Sequence, residues 1–117
     1  MTGMVSYLKG WAAEEQVADR YQRAGARLIS RRWKAPSGEI DLVFSHGDTL
    51  IFVEVKCSKT IERALQSVSA RQARRIMASA EVYADLMCKG ALTDIRFDVA
   101  ALDGQGRIEV VENAFAS

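Results

Sequence analysis

The stretch "SGEIDLVFSHGDTLIFVEVKC", residues 37–57, decides the fold because it has the pattern of an apolar β-hairpin that also carries charged side chains. Two runs rich in β-branched and aromatic residues flank "SHGD", a sequence that suits a tight turn. Since side chains alternate between the two faces of a strand, we expect Ile40, Leu42 and Phe44 to share one face. The charged residues of the hairpin then need an explanation of their own.

Asp41, Glu54 and Lys56 are expected to converge on one face of this hairpin if the strand register suits. Two carboxylates held close together in a partly buried site repel each other and lose hydration, a conflict that a divalent cation removes. Magnesium prefers oxygen ligands, typically one or two carboxylates with waters. On one interpretation, the pattern predicts a Mg²⁺ or Mn²⁺ site formed by Asp41, Glu54 and the backbone carbonyl of Val55. Lys56 would orient a bound water or stabilise developing charge.

The same residues also allow a structural interpretation. Glu54 and Lys56 are two positions apart on one strand face and could pair with each other, while Asp41 completes a solvated patch. An isolated E-x-K triplet is a weak motif, so the pattern alone leaves both interpretations open.

The composition is that of an ordinary globular protein. The chain has 117 residues, of which 49% are hydrophobic and 26% charged, so we expect a single domain, residues 1–117. Its net charge of +1 does not by itself indicate a nucleic-acid or membrane partner. Two cysteines without a CxxC pair and one histidine argue against a zinc site or a disulfide framework. No apolar run approaches the length of a membrane span, so we expect a cytoplasmic protein without a membrane partner.

The rest of the chain supplies helices and further strands. Apolar spacing predicts a helix over residues 5–24 and a strand in "ARLISRRW", and it leaves "CSKTIERALQSV" open between a short helix and a loop. A long helix is predicted from Ser69 to Lys89, opened by a capping box of Ser69 and Gln72. Two final strands flank "GQG". The order α, three β, α, two β predicts a central mixed sheet of about five strands flanked by helices.

Four strings, taken in order, resemble a known family: "GEIDLVF" (38–44), "FVEVK" (52–56), "RFDV" (96–99) and "ENAF" (112–115). They resemble the small bacterial YraN-type family, which is similar to archaeal Holliday-junction resolvases and belongs to the PD-(D/E)XK, restriction-endonuclease-like superfamily. The resemblance covers nearly the whole chain. It implies a restriction-endonuclease-like fold and a metal-dependent nuclease acting on DNA, with branched or damaged DNA as the implied substrate class.

Position by position, the resemblance implies Asp41 as the superfamily aspartate, Glu54 as the acidic residue of the E-x-K half-motif and Lys56 as its lysine, the three catalytic candidates. It also implies a helix-one glutamate near the metal, for which Glu15 is the first alignment and Glu14 a competing one. The alternative for both glutamates is a solvated position on the first helix.

Several basic and aromatic residues are candidates for nucleic-acid contacts. Arg71 and Gln72, where the family tends to have Lys-Gln, could reach a phosphate or the rim of the site, and Arg31 is a further candidate. Simple solvent exposure, with a capping role for Gln72, explains them equally well. Trp11 and Trp33 could stack on bases, but core packing is the preferred interpretation.

The chain also departs from the family pattern beside the implied site. Ser58 stands where family members usually have arginine, and "KTIERALQ" replaces the usual Phe-Gly stretch. These changes keep two alternatives open: a non-catalytic nucleic-acid-binding protein that retains the nuclease scaffold, and a protein-interaction module. Asp98 is expected to hold Arg96 or a backbone amide rather than to act in catalysis. A homodimer is a further expectation, since resolvase-like relatives often work as dimers and an uncovered sheet edge could serve one.

Overall fold

A computed structural model describes residues 2–88 and 94–115, in which helices and strands follow the predicted order with one addition. The elements are α1 (Thr2–Arg23), β1 (Arg27–Ala35), β2 (Gly38–His46), β3 (Thr49–Cys57), α2 (Ile61–Gln66), α3 (Ala70–Cys88), β4 (Asp94–Leu102) and β5 (Ile108–Val111). The addition is α2, which resolves the segment that the sequence left open. The predicted end of the long helix, at Lys89 and Gly90, lies outside the described residues.

The five strands form one mixed sheet in the order β1-β2-β3-β4-β5. All neighbouring pairs are antiparallel except β3 and β4, which are parallel. A parallel pair needs a crossover connection, and α2 with α3 provides it. The predicted fold class, an α/β domain with a mixed five-stranded sheet between helices, is therefore confirmed, and the arrangement is compatible with a restriction-endonuclease-like fold.

Apolar side chains cover both faces of the sheet. On one face, Val17 and Tyr21 of α1 pack against Leu42 and Phe44, and the Tyr21 and Phe44 rings stack with centroids 4.5 Å apart. The opposite face carries a second cluster in which α3 contributes Tyr83. The other buried members of that cluster are Ile40, Val43, Leu50, Phe52 and Ala80. A sheet buried on both faces explains why its central strands are almost continuously apolar.

The prediction that Ile40 shares a face with Leu42 is wrong. Ile40 belongs to the α3-side cluster, whereas Leu42 belongs to the α1-side cluster. The irregularity coincides with Arg32 on the neighbouring strand, whose φ of 47° departs from extended geometry and lies between the Arg31–Leu42 and Trp33–Ile40 pairs. A left-handed residue interrupts the regular alternation of side chains, so the two strands change face together at this point.

Asp98 joins the first helix to the end of the chain. Its carboxylate is 1% exposed and accepts a hydrogen bond of 2.6 Å from the Tyr21 hydroxyl and two from Arg96, and its Oδ1 also accepts one from the Asn113 amide. Burial and the neighbouring Asp98 raise the pKa of Tyr21, so its phenol stays protonated and donates. The prediction that Asp98 holds Arg96 or a backbone amide is confirmed, because it holds both. The "RFDV" and "ENAF" strings thus meet at the buried carboxylate of Asp98.

Side-chain hydroxyl groups cap the first turns of α2 and α3. The Ser69 hydroxyl accepts a hydrogen bond of 3.0 Å from the Gln72 amide, so the Ser69 half of the predicted capping box is present. Thr60 caps α2 in the same way by accepting from the Arg63 amide. Within the described part of the chain, no helix has both the length and the apolar composition that crossing a bilayer requires.

Candidate functional site

The candidate site lies where β2 and β3 stop pairing. Their antiparallel ladder runs from His46–Thr49 to Leu42–Val53. Beyond that pair, the Val55 amide donates to Oδ2 of Asp41 at 2.8 Å. A carboxylate side chain therefore takes the place that a strand carbonyl would occupy in a continued ladder, which holds Asp41 at a defined position between the two strands.

Glu54 lies next to Asp41 and is unusually buried for a carboxyl group, with 7% of its surface exposed. Burial, together with a hydrogen bond to Asp41 and the charge of that residue, raises the pKa of Glu54 to about 9 from an ordinary value of 4.5. Two carboxyl groups are thus held together with too little water around them for both to ionise freely. The sequence predicted this convergence, and the structure brings the two residues together.

Lys56 completes the group on the same strand. Its Nζ lies 4.0 Å from Oε1 of Glu54, and its positive charge partly offsets the effects that raise the pKa of that glutamate. Lys56 is half-buried, so its ammonium group is held near the carboxyl pair by the strand and remains accessible. Val55, between them, uses its amide to bind Asp41, and its carbonyl stays a predicted metal ligand.

The two glutamates of α1 have different surroundings. Glu15 is exposed and forms an ion pair with Arg31. Glu14 is 7% exposed, accepts two hydrogen bonds from Arg32 at 3.0 and 3.2 Å, and has a pKa raised by burial and, to a lesser extent, by the charge of Asp41. Glu14 is therefore the helix carboxylate that lies closer to the site. The residues Gly10 and Ala18 around it in the sequence are compatible with either alignment, so spacing alone could not make the choice.

The carboxyl groups of Asp41 and Glu54 are ligands of the kind that magnesium uses when few of its ligands come from the protein. Among residues 2–88 and 94–115, no group of three or more His, Cys, Asp or Glu side chains is arranged to hold a metal. Magnesium commonly binds one or two carboxylates and completes its octahedron with waters and substrate phosphate oxygens. Asp41 and Glu54 supply such a pair, and a bound cation would remove the repulsion between them.

The predicted nucleic-acid contacts lie on two different sides of the sheet. Arg71 is exposed and Gln72 half-buried at the start of α3, where Arg74 and Arg75 are also exposed. Arg75 packs near the turn between β1 and β2, close to Gly38. Arg31 instead lies on the α1 side, bound to Glu15 and placed over the ring of Trp11. The structure therefore does not join the three predicted residues into one patch.

The prediction that both tryptophans pack in the core holds for only one of them. Trp33 packs against the α3-side cluster and meets the Tyr83 ring edge-on at 5.1 Å. Trp11 is 41% exposed, because its position lies at the margin of the buried face of α1 that Val17 and Tyr21 define. Sequence periodicity could not find this, since it places Trp11 on an apolar stripe without showing where the contact with the sheet ends.

Fold and site together define an α/β domain with a mixed five-stranded sheet and a partly buried acidic pair where two central strands separate. The chain belongs to the UPF0102 family: the family described as "Uncharacterised protein family UPF0102" matches residues 13–102. It is 48% identical to a UPF0102 protein of Ruegeria pomeroyi, over 97% of this chain and 92% of that protein. It is also 47% identical to one of Cereibacter sphaeroides over both full lengths, and 39% identical to one of Dinoroseobacter shibae over 95% of this chain and 83% of that protein.

Proposed function

We propose that this protein is a metal-dependent nuclease of the PD-(D/E)XK type acting on DNA. The observation that carries the proposal is the Asp41–Glu54 carboxyl pair, with Lys56 beside it, held where β2 and β3 separate. Pairing two carboxyl groups in a poorly hydrated position is unfavourable for folding. The presence of this carboxyl pair next to a lysine is explained if the pair binds a cation in the functional protein.

In this function, Asp41 and Glu54 would hold a magnesium ion, which would supply Lewis-acid activation of a water and charge neutralisation at the phosphate. The Val55 amide keeps Asp41 in place through its hydrogen bond of 2.8 Å. Lys56 orients the attacking water or stabilises negative charge on the phosphate oxygens. Burial and the neighbouring Asp41 raise the pKa of Glu54 to about 9, so Glu54 would have to release its proton in order to hold a cation.

DNA as the substrate class is supported by the basic start of α3. Arg71, Arg74 and Arg75 are exposed there, and the packing of Arg75 near Gly38 places this segment beside β2, three residues before Asp41. Arginines beside a metal site suit a phosphodiester backbone, because they neutralise phosphates without reading sequence. The resemblance to junction resolvases supports branched or damaged DNA in particular.

The experiment that tests the proposal is a cleavage assay on labelled duplex, single-stranded, flapped and four-way-junction DNA with magnesium or manganese. We expect cleavage of at least one of these DNAs, and a loss of at least about 100-fold in rate for Lys56→Ala. Lys59→Ala is the matched control, since Lys59 is an exposed lysine on the same segment. Cleavage by Lys56→Ala equal to that by the wild type would contradict the assigned chemistry.

A second candidate is a non-catalytic DNA-binding protein on the same scaffold. It is favoured by Ser58, which stands where the family pattern that the chain resembles has an arginine, and by α2, which occupies the altered loop. The dependence of stability and DNA binding on magnesium distinguishes the two functions. A nuclease should gain thermal stability from magnesium, and Asp41→Asn should abolish that gain, whereas a binding protein without a metal site should bind DNA equally well in EDTA and show no such gain.

A further inference from the structure

Trp11, Arg31 and Arg32 form a cluster on the α1 side of the sheet that the proposed chemistry does not use. The guanidinium carbons of Arg31 and Arg32 lie 5.7 and 5.5 Å from the centre of the Trp11 ring, within the range of cation–π contacts. A single exposed apolar side chain is ordinary on a protein surface, so the exposure of Trp11 by itself indicates no function. The case for a function rests on the contact of its ring with two guanidinium groups and on its position near the carboxyl site.

This cluster adjoins the carboxyl site through a short series of contacts. Trp11 lies one helical turn before Glu14, so the two side chains share a face of α1. Glu14 binds Arg32 and is close enough to Asp41 for the charge of Asp41 to affect its pKa. In the β1–β2 ladder, Arg32 lies between the pairs Arg31–Leu42 and Trp33–Ile40, which places it opposite Asp41.

The charges of the cluster indicate what it binds. Arg31 is paired with Glu15, and Arg32 with Glu14, so neighbouring carboxylates compensate both guanidinium charges. Such a cluster attracts phosphate groups weakly. It does hold a polarisable indole ring in a fixed orientation with part of its surface exposed, and an aromatic ring of this kind offers stacking to any nucleic-acid base that is not itself stacked in a duplex.

We propose that Trp11 is a stacking platform for an unpaired base of DNA, and that Arg31 and Arg32 position its ring. The location of this base, beside the scissile phosphate, rests on the proposed nuclease function. The substrate class becomes DNA with a single-stranded nucleotide next to the cleavage point, such as a flap or an opened junction. Blunt duplex DNA offers no such base and does not use the platform.

Binding measured without cleavage tests this directly. The full chain carries two tryptophans, so Trp33→Phe leaves Trp11 as the sole indole reporter. In EDTA, an oligo-thymidine of about 12 nucleotides should quench the emission of this protein, whereas a blunt duplex of the same length should not. Because Trp11 is unaltered in this measurement, it remains valid even if truncating the residue impairs folding.

Substitution of Trp11 gives the second measurement. Trp11→Ala should weaken binding of the oligo-thymidine about tenfold and leave binding of the blunt duplex unchanged, while Trp11→Phe should retain most of the affinity. Leu86→Ala is the matched control, because Leu86 is a large exposed apolar residue on α3. Absence of quenching, or equal weakening for single-stranded and duplex DNA, would overturn the platform.

The two proposals fail in distinguishable ways. If the protein cleaves DNA in a metal-dependent way but single-stranded DNA does not quench the Trp11 emission, the nuclease proposal stands and the stacking proposal is wrong. If single-stranded DNA quenches the Trp11 emission and Trp11→Ala binds it about tenfold more weakly, but the protein cleaves no DNA, the stacking proposal stands and the nuclease proposal is wrong.

Discussion

At the scale of single residues, Glu54 is a glutamate whose carboxyl group is buried next to a second carboxyl group. Its burial beside Asp41 raises its pKa to about 9, so the protonated form is the one that the metal-free fold stabilises. The folded state therefore holds a proton that the unfolded chain releases near pH 4.5. This stabilisation is complete below that pH and is lost as the pH rises towards 9.

The pH dependence of stability in EDTA should show this. Between pH 5 and 9, the free energy of unfolding of the wild type should fall relative to that of Glu54→Gln, by up to about 1.4 kcal/mol per pH unit. Glutamine keeps the size and the hydrogen-bond donor but cannot ionise. Urea unfolding at several pH values measures the difference, and parallel stability curves for the two proteins would contradict the shifted pKa.

The Tyr21–Asp98 hydrogen bond should be a stabilising contact rather than a functional one. Tyr21→Phe keeps the ring stacked on Phe44 but leaves the buried Asp98 carboxylate with one donor fewer, so we expect a loss of about 2 kcal/mol. Arg23→Ala, which removes an exposed ion pair with Asp19, should cost less than about 0.5 kcal/mol. Equal effects of the two substitutions in chemical denaturation would show that the junction does not contribute as the geometry indicates.

At the scale of elements, the ends of the helices follow from local sequence. Ser69 opens α3 by accepting from the Gln72 amide, so Ser69→Ala should lower the free energy of unfolding by about 1 kcal/mol. Ser69→Asp should retain the stability of the wild type, because an aspartate caps in the same way and favours the helix dipole. A loss for Ser69→Asp as large as that for Ser69→Ala would indicate that the hydroxyl matters for another contact.

The elements that sequence predicted well are those whose apolar period and end residues agree. The hairpin of β2 and β3, the cap of α3 and the final two strands were all predictable on this basis. The change of face between Leu42 and Ile40, which coincides with Arg32, was not predictable, because a left-handed arginine has no local sequence signature. Whether α2 formed was equally open, since its six residues have too few turns for a periodic pattern to be read.

At the scale of the whole molecule, the proposed function requires that the basic start of α3 and the carboxyl site contact the same DNA molecule. The logarithm of the DNA dissociation constant should rise with the logarithm of salt concentration, and Arg71→Gln and Arg75→Gln should each reduce that slope by about 0.9. Arg23→Gln, which alters an exposed arginine at the far end of α1, should leave the slope unchanged. An unaltered slope for both α3 variants would remove this segment from the DNA path.

The homodimer stays a prediction that belongs to the sheet as a whole. The order of strands leaves β1 and β5 as its two edges, and unpaired edges are surfaces on which a second copy can pair. β5 has four residues and β1 has nine, so β1 offers the longer row of backbone groups. The molecular mass in solution, measured by light scattering with and without DNA, tests this expectation.

The sequence by itself determined the class of fold and the hairpin, because alternation along two strands joined by a tight turn limits how the chain can pair. It also predicted Asp41, Glu54 and Lys56 as a group, but their convergence depended on a strand register that alternation alone did not fix. Only the tertiary structure decided that Glu14 rather than Glu15 faces Asp41 and that Trp11 is exposed beside two arginines. Those outcomes depend on how α1 is rotated against the sheet. That rotation is set by contacts between residues distant in the chain, which no local pattern of the helix encodes.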